Sequence, residues 1–170
     1  MQMEIRPAKQ VDADEVAGVH VRSWQVGYQG LLPDDYLSGM RPDDRAKRYT
    51  FEHSDPSQPA TLVAVEHNAI VGFATIGPCT DDDSGDTGEL LALYVDPPSW
   101  GFGVGRALIA AARERLGDDG FKKAVLWVLV GNQRAERFYR ADGWSPDGAR
   151  RRDEVWGIIV DEIRYRRSLT

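Results

Sequence analysis

The sequence predicts an α/β protein whose sheet starts antiparallel, passes through a parallel β-α-β unit and closes on a terminal hairpin. Three observations carry the prediction. Residues 90–95 and 124–130 are continuous apolar runs, as strands buried on both faces require. A glycine-rich turn and a helical pattern separate them; strands joined through a helix need a crossover, so the two should be parallel and the crossover right-handed. Upstream, residues 61–66 and 70–76 are strand-like and parted only by His67, Asn68 and Ala69, which reads as an antiparallel hairpin.

Taken in order, residues 3–6 read as a short strand closed by Pro7. Asp12 stands where an N-cap belongs, with Glu15 three residues on, and a helical pattern runs over 13–28. That helix carries two apolar stripes, Val16, Val19, Ser23, Val26 and Ala17, Val21, Trp24, Tyr28, so it should be covered on two sides. Gly30 and Pro33 break it, and residues 34–37 form a second short helix entered through Pro33. The plain reading of Trp24, Tyr28 and Tyr36 is core filling. Residues 41–59 are polar, with no strong pattern beyond a helix after Pro42. After the hairpin, residues 77–88 are loop by composition; their Asp81, Asp82, Asp83 and Asp86 would either draw a cationic substrate or simply be solvated.

Asp96, Pro97 and Pro98 end the strand at 90–95, because neither proline can donate to a ladder. Gly101, Gly103 and Gly105 lead into Val104, Ala107, Leu108, Ala111 and Leu116 at helical spacing, with Gly117 placed to stop the helix. Glycines at alternate positions leave backbone N–H groups uncovered, and a helix start adds unpaired donors and the positive dipole end, an arrangement suited to phosphate. The dinucleotide fingerprint G-x-G-x-x-G fails, since its third glycine slot holds Arg106 or Leu108, and no G-x-x-x-x-G-K-[ST] occurs. The alternative is a tight turn whose glycines serve conformation and packing alone. Past the strand at 124–130, Asn132 is placed as an N-cap, Ala135, Phe138, Tyr139 and Asp142 follow at helical spacing, and Gly143 terminates them. Trp144, residues 155–160 and residues 163–167 belong to late strand structure.

Length and composition bound the function. A chain of 170 residues suits one domain with a single core. A net charge of -6 argues against a nucleic-acid partner. No apolar run is long enough to span a membrane and the first residues lack a signal-peptide core, which points to the cytoplasm. Cys79 is the single cysteine, and His20, His53 and His67 have no metal-ligand spacing, so neither a disulfide frame nor a metal site is expected.

Three motifs agree in order and spacing. They are L-x-V-x-P at Leu93, Val95 and Pro97, W-G-x-G-x-G-R over 100–106, and N-x-x-A-x-x-F-Y-x-x-x-G-W over 132–144. Together they resemble the GCN5-related N-acetyltransferases, and V-H-V-x-S-W-x-x-x-Y-x-G-L-L-P over 19–33 is similar to one bacterial branch of that superfamily. The resemblance implies a mixed central sheet of about seven strands, splayed at its two central parallel strands, with about four helices. It implies acetyl-CoA as donor, with its pyrophosphate on the amides of Gly101, Phe102, Gly103, Val104, Gly105 and Arg106. The pantetheine would lie against Leu93, Tyr94 and Val95, and Asn132 and Phe138 would touch the cofactor. Glu89 matches the position of the general base and Tyr139 that of the acid for the leaving thiolate, with the Val95 N–H as oxyanion donor. Trp24, Tyr28 and Tyr36 would line or support the acceptor side. The acceptor would be a small-molecule or protein amine, with no metal involved and a homodimer compatible. A non-catalytic acetyl-CoA-binding or interaction domain of the same fold is the alternative. Two positions depart from the family: Trp100 stands where Gln or Arg is frequent, and Trp144 where Phe is. The first removes a basic side chain from the turn; the second reads as a volume change on an apolar theme.

Overall fold

In the computed structural model, which describes residues 3–53, 55, 57–81 and 85–170, one seven-stranded mixed sheet organises the chain. Strands β1 (Met3–Pro7), β2 (Ala60–Glu66), β3 (Ala69–Pro78) and β4 (Thr87–Val95) pair antiparallel in succession. Strand β5 (Lys123–Leu129) lies parallel to β4, and the last two, β6 (Ser145–Val155) and β7 (Ile158–Ser168), form a hairpin whose second strand joins β5. The order across the sheet is β1-β2-β3-β4-β5-β7-β6. Five α-helices accompany it: α1 (Ala13–Gly27), α2 (Asp34–Ser38), α3 (Pro42–Ala46), α4 (Val104–Asp118) and α5 (Gln133–Ala141).

Each face of the sheet has its own core. On one face α4 buries Val104, Leu108, Ile109, Ala112 and Leu116 against Ala74, Leu90, Leu126 and Tyr165. Burying a side chain such as Leu108 is worth about 1.5–3 kcal/mol. On the other face α1 divides its two stripes as its pattern requires. Val16 and Val19 pack on Val63, Ile70 and Phe73, while Val21 and Trp24 pack with Leu32, Leu37, Met40 and Val160. Val26 alone of those positions is exposed, being near the C-terminal end of the helix.

Four local expectations change. Asp12 does not cap α1: its side chain makes no bond to the helix, accepting instead from Arg6 at 2.8 and 3.1 Å and from the Lys9 N–H at 2.7 Å. Glu15 accepts from the Ile70 N–H rather than closing a capping box. Helix α4 runs through Gly117 to Asp118 and is closed off by Gly120, whose φ is +98°; there the Gly120 and Phe121 N–H groups bond back to Gly117 and Leu116, the six-residue closure that a left-handed residue makes. Residues 155–160 are not one strand, because Trp156 and Gly157, at φ 51° and 83°, turn the chain between β6 and β7. Strand β6 itself was not expected: residues 145–154 are polar, and the strand lies at the sheet edge, where no apolar alternation marks it. Of the acidic loop, Asp82 and Asp83 lie outside the described residues, and Asp81 is paired with Arg164 at 3.1 Å. Among the described residues no helix is long and apolar enough to cross a membrane.

Candidate active site

The site begins with an irregularity in β4. Thr75 on β3 faces Ala92 and the next residue, Ile76, faces Leu90, so Leu91 has no opposite number. Such a bulge bends its strand and breaks pairing locally. The parallel ladder between β4 and β5 ends at the same place, at Leu90 and Leu126. Beyond it β4 follows β3 to Val95, β5 follows β7 to Leu129, and the two central strands part. A cleft of about 870 Å³ occupies the opening.

The free edge of β4 offers backbone groups to that cleft. The Asp96 N–H bonds to Val71 on β3 at 2.8 Å, which turns the Val95 carbonyl, on the other side of the same peptide, toward the opening. Alternation then places the peptide groups of Leu93 on that edge too. The Val95 carbonyl already accepts from the Trp100 indole N–H at 2.7 Å. Trp100 is thus a structural strut between the strand and the turn.

At the mouth of the cleft, Gly101 and Gly103 hold φ of +85° and +86°, the region where residues other than glycine are strained. Gly103 is the N-cap of α4 with no side-chain cap, and the first bond into the helix is from the Ala107 N–H to its carbonyl. The amides of Val104, Gly105 and Arg106 therefore have no intrahelical acceptor. Gly105 serves packing instead: a Cβ there would stand 3.2 Å from the Phe138 ring. The side chain of Phe102 is 73% exposed and takes no part in the wall.

Helix α5 forms the opposite lip. The Asn132 side chain accepts from the Ala135 N–H at 3.2 Å, as an N-cap does, and Gly143 at φ +91° closes the helix. Asn132, Ala135, Phe138 and Tyr139 all line the cleft. Burial pushes the Tyr139 phenol well above its ordinary pKa, so it stays protonated. Trp144 does more than fill volume, because its indole N–H donates to Asp142 at 3.0 Å. Asp142 also binds Arg113 of α4 at 2.9 and 3.0 Å, which clamps the two helices together. Arg134, in the first turn of α5, lays its guanidinium 3.5 Å over the Trp100 ring. Burial alone lowers its pKa, with no carboxylate acting against it.

Below the opening, Glu89 sits opposite Val125 on the α1 face. It is buried, and its Oε1 accepts from the Thr80 N–H at 2.9 Å and the Thr80 hydroxyl at 2.8 Å. Burial raises its pKa, assisted by Asp81, against the pull of Thr80 and Arg151. The same face carries Trp24, Tyr28 and Tyr94, which line the cleft as one aromatic wall with Trp24–Tyr28 and Trp24–Tyr94 centroids 4.9 and 6.0 Å apart. Behind Tyr94, His20 stacks at 5.6 Å, and burial lowers its pKa to about 3, keeping it neutral. Tyr36 is not in the wall; it stands behind it, donating to the Trp156 carbonyl at 2.6 Å and accepting from Arg45.

Among the cleft residues that the sequence reading did not single out are Trp127, Arg134, Arg151 and Glu162. Arg134 falls on an unspecified position of a recognised motif. Trp127 lies on β5 itself, and Glu162 and Arg151 come from the terminal hairpin, brought to the cleft by the pairing of Leu129 with Glu162 and of Arg151 with Glu162.

Comparison with known proteins agrees with this geometry. The model of the Acetyltransferase (GNAT) family matches residues 24–144. The uncharacterized N-acetyltransferase YuaI of Bacillus subtilis is 33% identical over 161 residues, 94% of this chain and 89% of its own. Among solved structures, the PaiA N-acetyltransferase of Thermoplasma acidophilum in complex with coenzyme A superposes with a TM-score of 0.71 at 19% identity, covering 99% of both chains. The yncA protein of Salmonella typhimurium, solved with acetyl-CoA, gives 0.68 at 22% identity over 99% of this chain and 94% of its own.

Proposed function

The chain belongs to the Acetyltransferase (GNAT) family, and from that premise we propose that it is a single N-acetyltransferase domain that moves an acetyl group from acetyl-CoA to a primary amine by direct attack, releasing CoA. The observation that carries the reading is the parting of β4 and β5 directly behind an uncapped helix start, with one buried carboxylate and one protonated phenol on its walls.

The open amides of residues 101–106 suit a pyrophosphate, which a helix N-terminus attracts by dipole and N–H donors together. Trp100 supplies no charge there, but Arg134 stacked upon it does, and Arg106 stands on the same wall. The pantetheine arm lies along the free edge of β4 and pairs chiefly at Leu93, since Trp100 already occupies the Val95 carbonyl and the Val95 N–H is left for the oxyanion.

An acceptor amine has a pKa near that of lysine, about 10.4, and arrives protonated. Glu89 removes that proton, directly or through water, and its raised pKa makes it a stronger base than an ordinary carboxylate. The nitrogen lone pair attacks the thioester carbonyl carbon, and the oxyanion so formed is held by an N–H on the free edge of β4, at Val95. The C–S bond then breaks, and the CoA thiolate, with a thiol pKa of about 8.5, takes the proton of Tyr139. The attacking nitrogen, positively charged since the attack, gives its second proton to solvent and becomes the neutral amide nitrogen; solvent returns a proton to Tyr139, and the proton on Glu89 is released. The test is thiol release from acetyl-CoA against a panel of primary amines, with the N-acetyl product identified by mass. Release matched one to one by product is expected. Binding of acetyl-CoA without release across the panel would replace catalysis with a binding role.

A further inference from the structure

We propose that the acceptor is a small molecule carrying a second positive charge besides the amine that is acetylated, and that Glu162 binds this second charge. The inference rests on the acetyl-transfer reading and names the acceptor class for it. Glu162 projects from β7, paired with Leu129 at the wide end of the opening, and lines the cleft with a side chain only 12% exposed. Arg151 binds its Oε1 at 2.9 Å through one nitrogen. A carboxylate has about four acceptor positions on two oxygens, so that contact leaves room for a ligand cation.

The charge balance of this half of the cleft is negative. Glu89 and Glu162 line it, and Asp153 lies 3.5 Å from Arg151, the cation that faces these three carboxylates among the described residues, while Arg164 nearby is paired with Asp81 and Asp147. An acceptor ammonium brings the balance to minus one, and a second cation brings it to zero. An acceptor bearing a carboxylate would instead add to the excess, and the guanidinium of Arg151 is already held by Glu162 and Asp153. Burial, assisted by Asp153, raises the pKa of Glu162 against the pull of Arg151, so a further cation beside it would stabilise the ionised form. Beside it the faces of Trp24, Tyr28 and Tyr94 attract cations through their ring quadrupoles.

Spacing sets the length of the acceptor. Glu89 is level with Val125 and Glu162 with Leu129, four residues or about 13 Å along the strand. With a hydrogen bond of about 3 Å at each end, a spacer of roughly 7 Å joins the two charges. A six-carbon diamine has that reach.

Three probes of equal length decide the matter: hexylamine, 1,6-diaminohexane and 6-aminohexanoate, compared by kcat/KM in thiol release. The expected order is diamine, then monoamine, then amino acid. The diamine should lead by about tenfold to a hundredfold, the range of one charge-assisted hydrogen bond, beyond the factor of two for its two ends. In Glu162→Gln the ratio of diamine to monoamine should fall toward two. Equal rates, or preference for hexylamine or 6-aminohexanoate in the wild-type protein, would overturn the proposal without any variant being needed. Should no probe release thiol, calorimetric titration of the CoA-loaded protein with 1,6-diaminohexane separates the two readings. Binding that Glu162→Gln abolishes upholds the Glu162 site while transfer to amines fails, and absence of binding removes the site.

Discussion

Replacing Arg134 by alanine should weaken the donor and leave the fold nearly untouched. The guanidinium lies flat on Trp100, 3.5 Å from the ring centroid, at the lip of the glycine turn, and no carboxylate raises its pKa. A cation so placed lacks its partner until an anion enters. A charge-assisted hydrogen bond contributes about 1.5–3 kcal/mol; since Arg134 keeps contact with water, the lower part of that range applies, about 1.5–2 kcal/mol. The dissociation constant for CoA should therefore rise roughly 10-fold to 30-fold, with the loss falling on KM for acetyl-CoA rather than on kcat. Folded stability should change by less than about 1 kcal/mol, since only an exposed cation–π contact is removed. Titration calorimetry with CoA, run at about 0.1 M and about 1 M salt, checks this: the gap between wild type and variant should narrow at high salt, where the Debye length falls from about 10 to 3 Å. Arg134→Lys should lie between them, keeping charge but losing the flat stack. An unchanged affinity in Arg134→Ala, or a loss that ignores salt, would refute the electrostatic role.

Tyr139→Phe should lower kcat by about 10²-fold to 10⁴-fold, the usual span for a general acid, with CoA affinity nearly intact; steady-state kinetics beside CoA titration reads both. For Glu89 the pH profile of kcat/KM is the measurement, with an acidic limb above the ordinary carboxylate pKa because burial raises the group; Glu89→Gln should flatten that limb and reduce the plateau. Trp144→Phe loses the bond to Asp142 and part of a buried side chain, costing about 1–3 kcal/mol or about 2–4 °C of Tm for each kcal/mol. Asp12→Ala should destabilise by about 1–3 kcal/mol at neutral pH by unmaking its bonds to Arg6 and Lys9. The hydrogen bond from Arg6 lowers the Asp12 pKa, so that contribution is whole above the unfolded value of about 3.9 and fades as pH falls through the lower folded one. Thermal melts of both proteins should converge in acid.

The central unit was legible because its physics is local. An apolar run, a proline stop, two left-handed glycines and an N-capped helix each leave a mark on the residues that perform them. The glycine turn, the Asn132 cap and the Gly143 terminus could be located from spacing alone. What could not be read depends on partners that the local pattern does not name, whether a few residues away or on another strand. Asp12 resembles a cap until Arg6 is seen beside it, and Gly117 resembles a stop until Gly120 takes the left-handed position three residues later. Trp144 resembles a larger phenylalanine, since nothing in its neighbours says that its N–H meets a carboxylate bound to another helix. Glu162 and Arg151 are unremarkable charges in a polar hairpin; they become site residues only because β7 is inserted between β5 and β6.

The unpaired Leu91 also settles a question of parity. Leu90 faces α4, and Glu89 and Tyr94 both face α1, although five residues separate the last two and a regular strand would send them to opposite sides. One extra residue resets the alternation between them. The distance from Glu89 to the aromatic wall is therefore counted in odd and even, and not merely in length. Deleting Leu91 would leave Glu89, Tyr94 and Trp24 in the protein and put Glu89 on the wrong side of its own sheet.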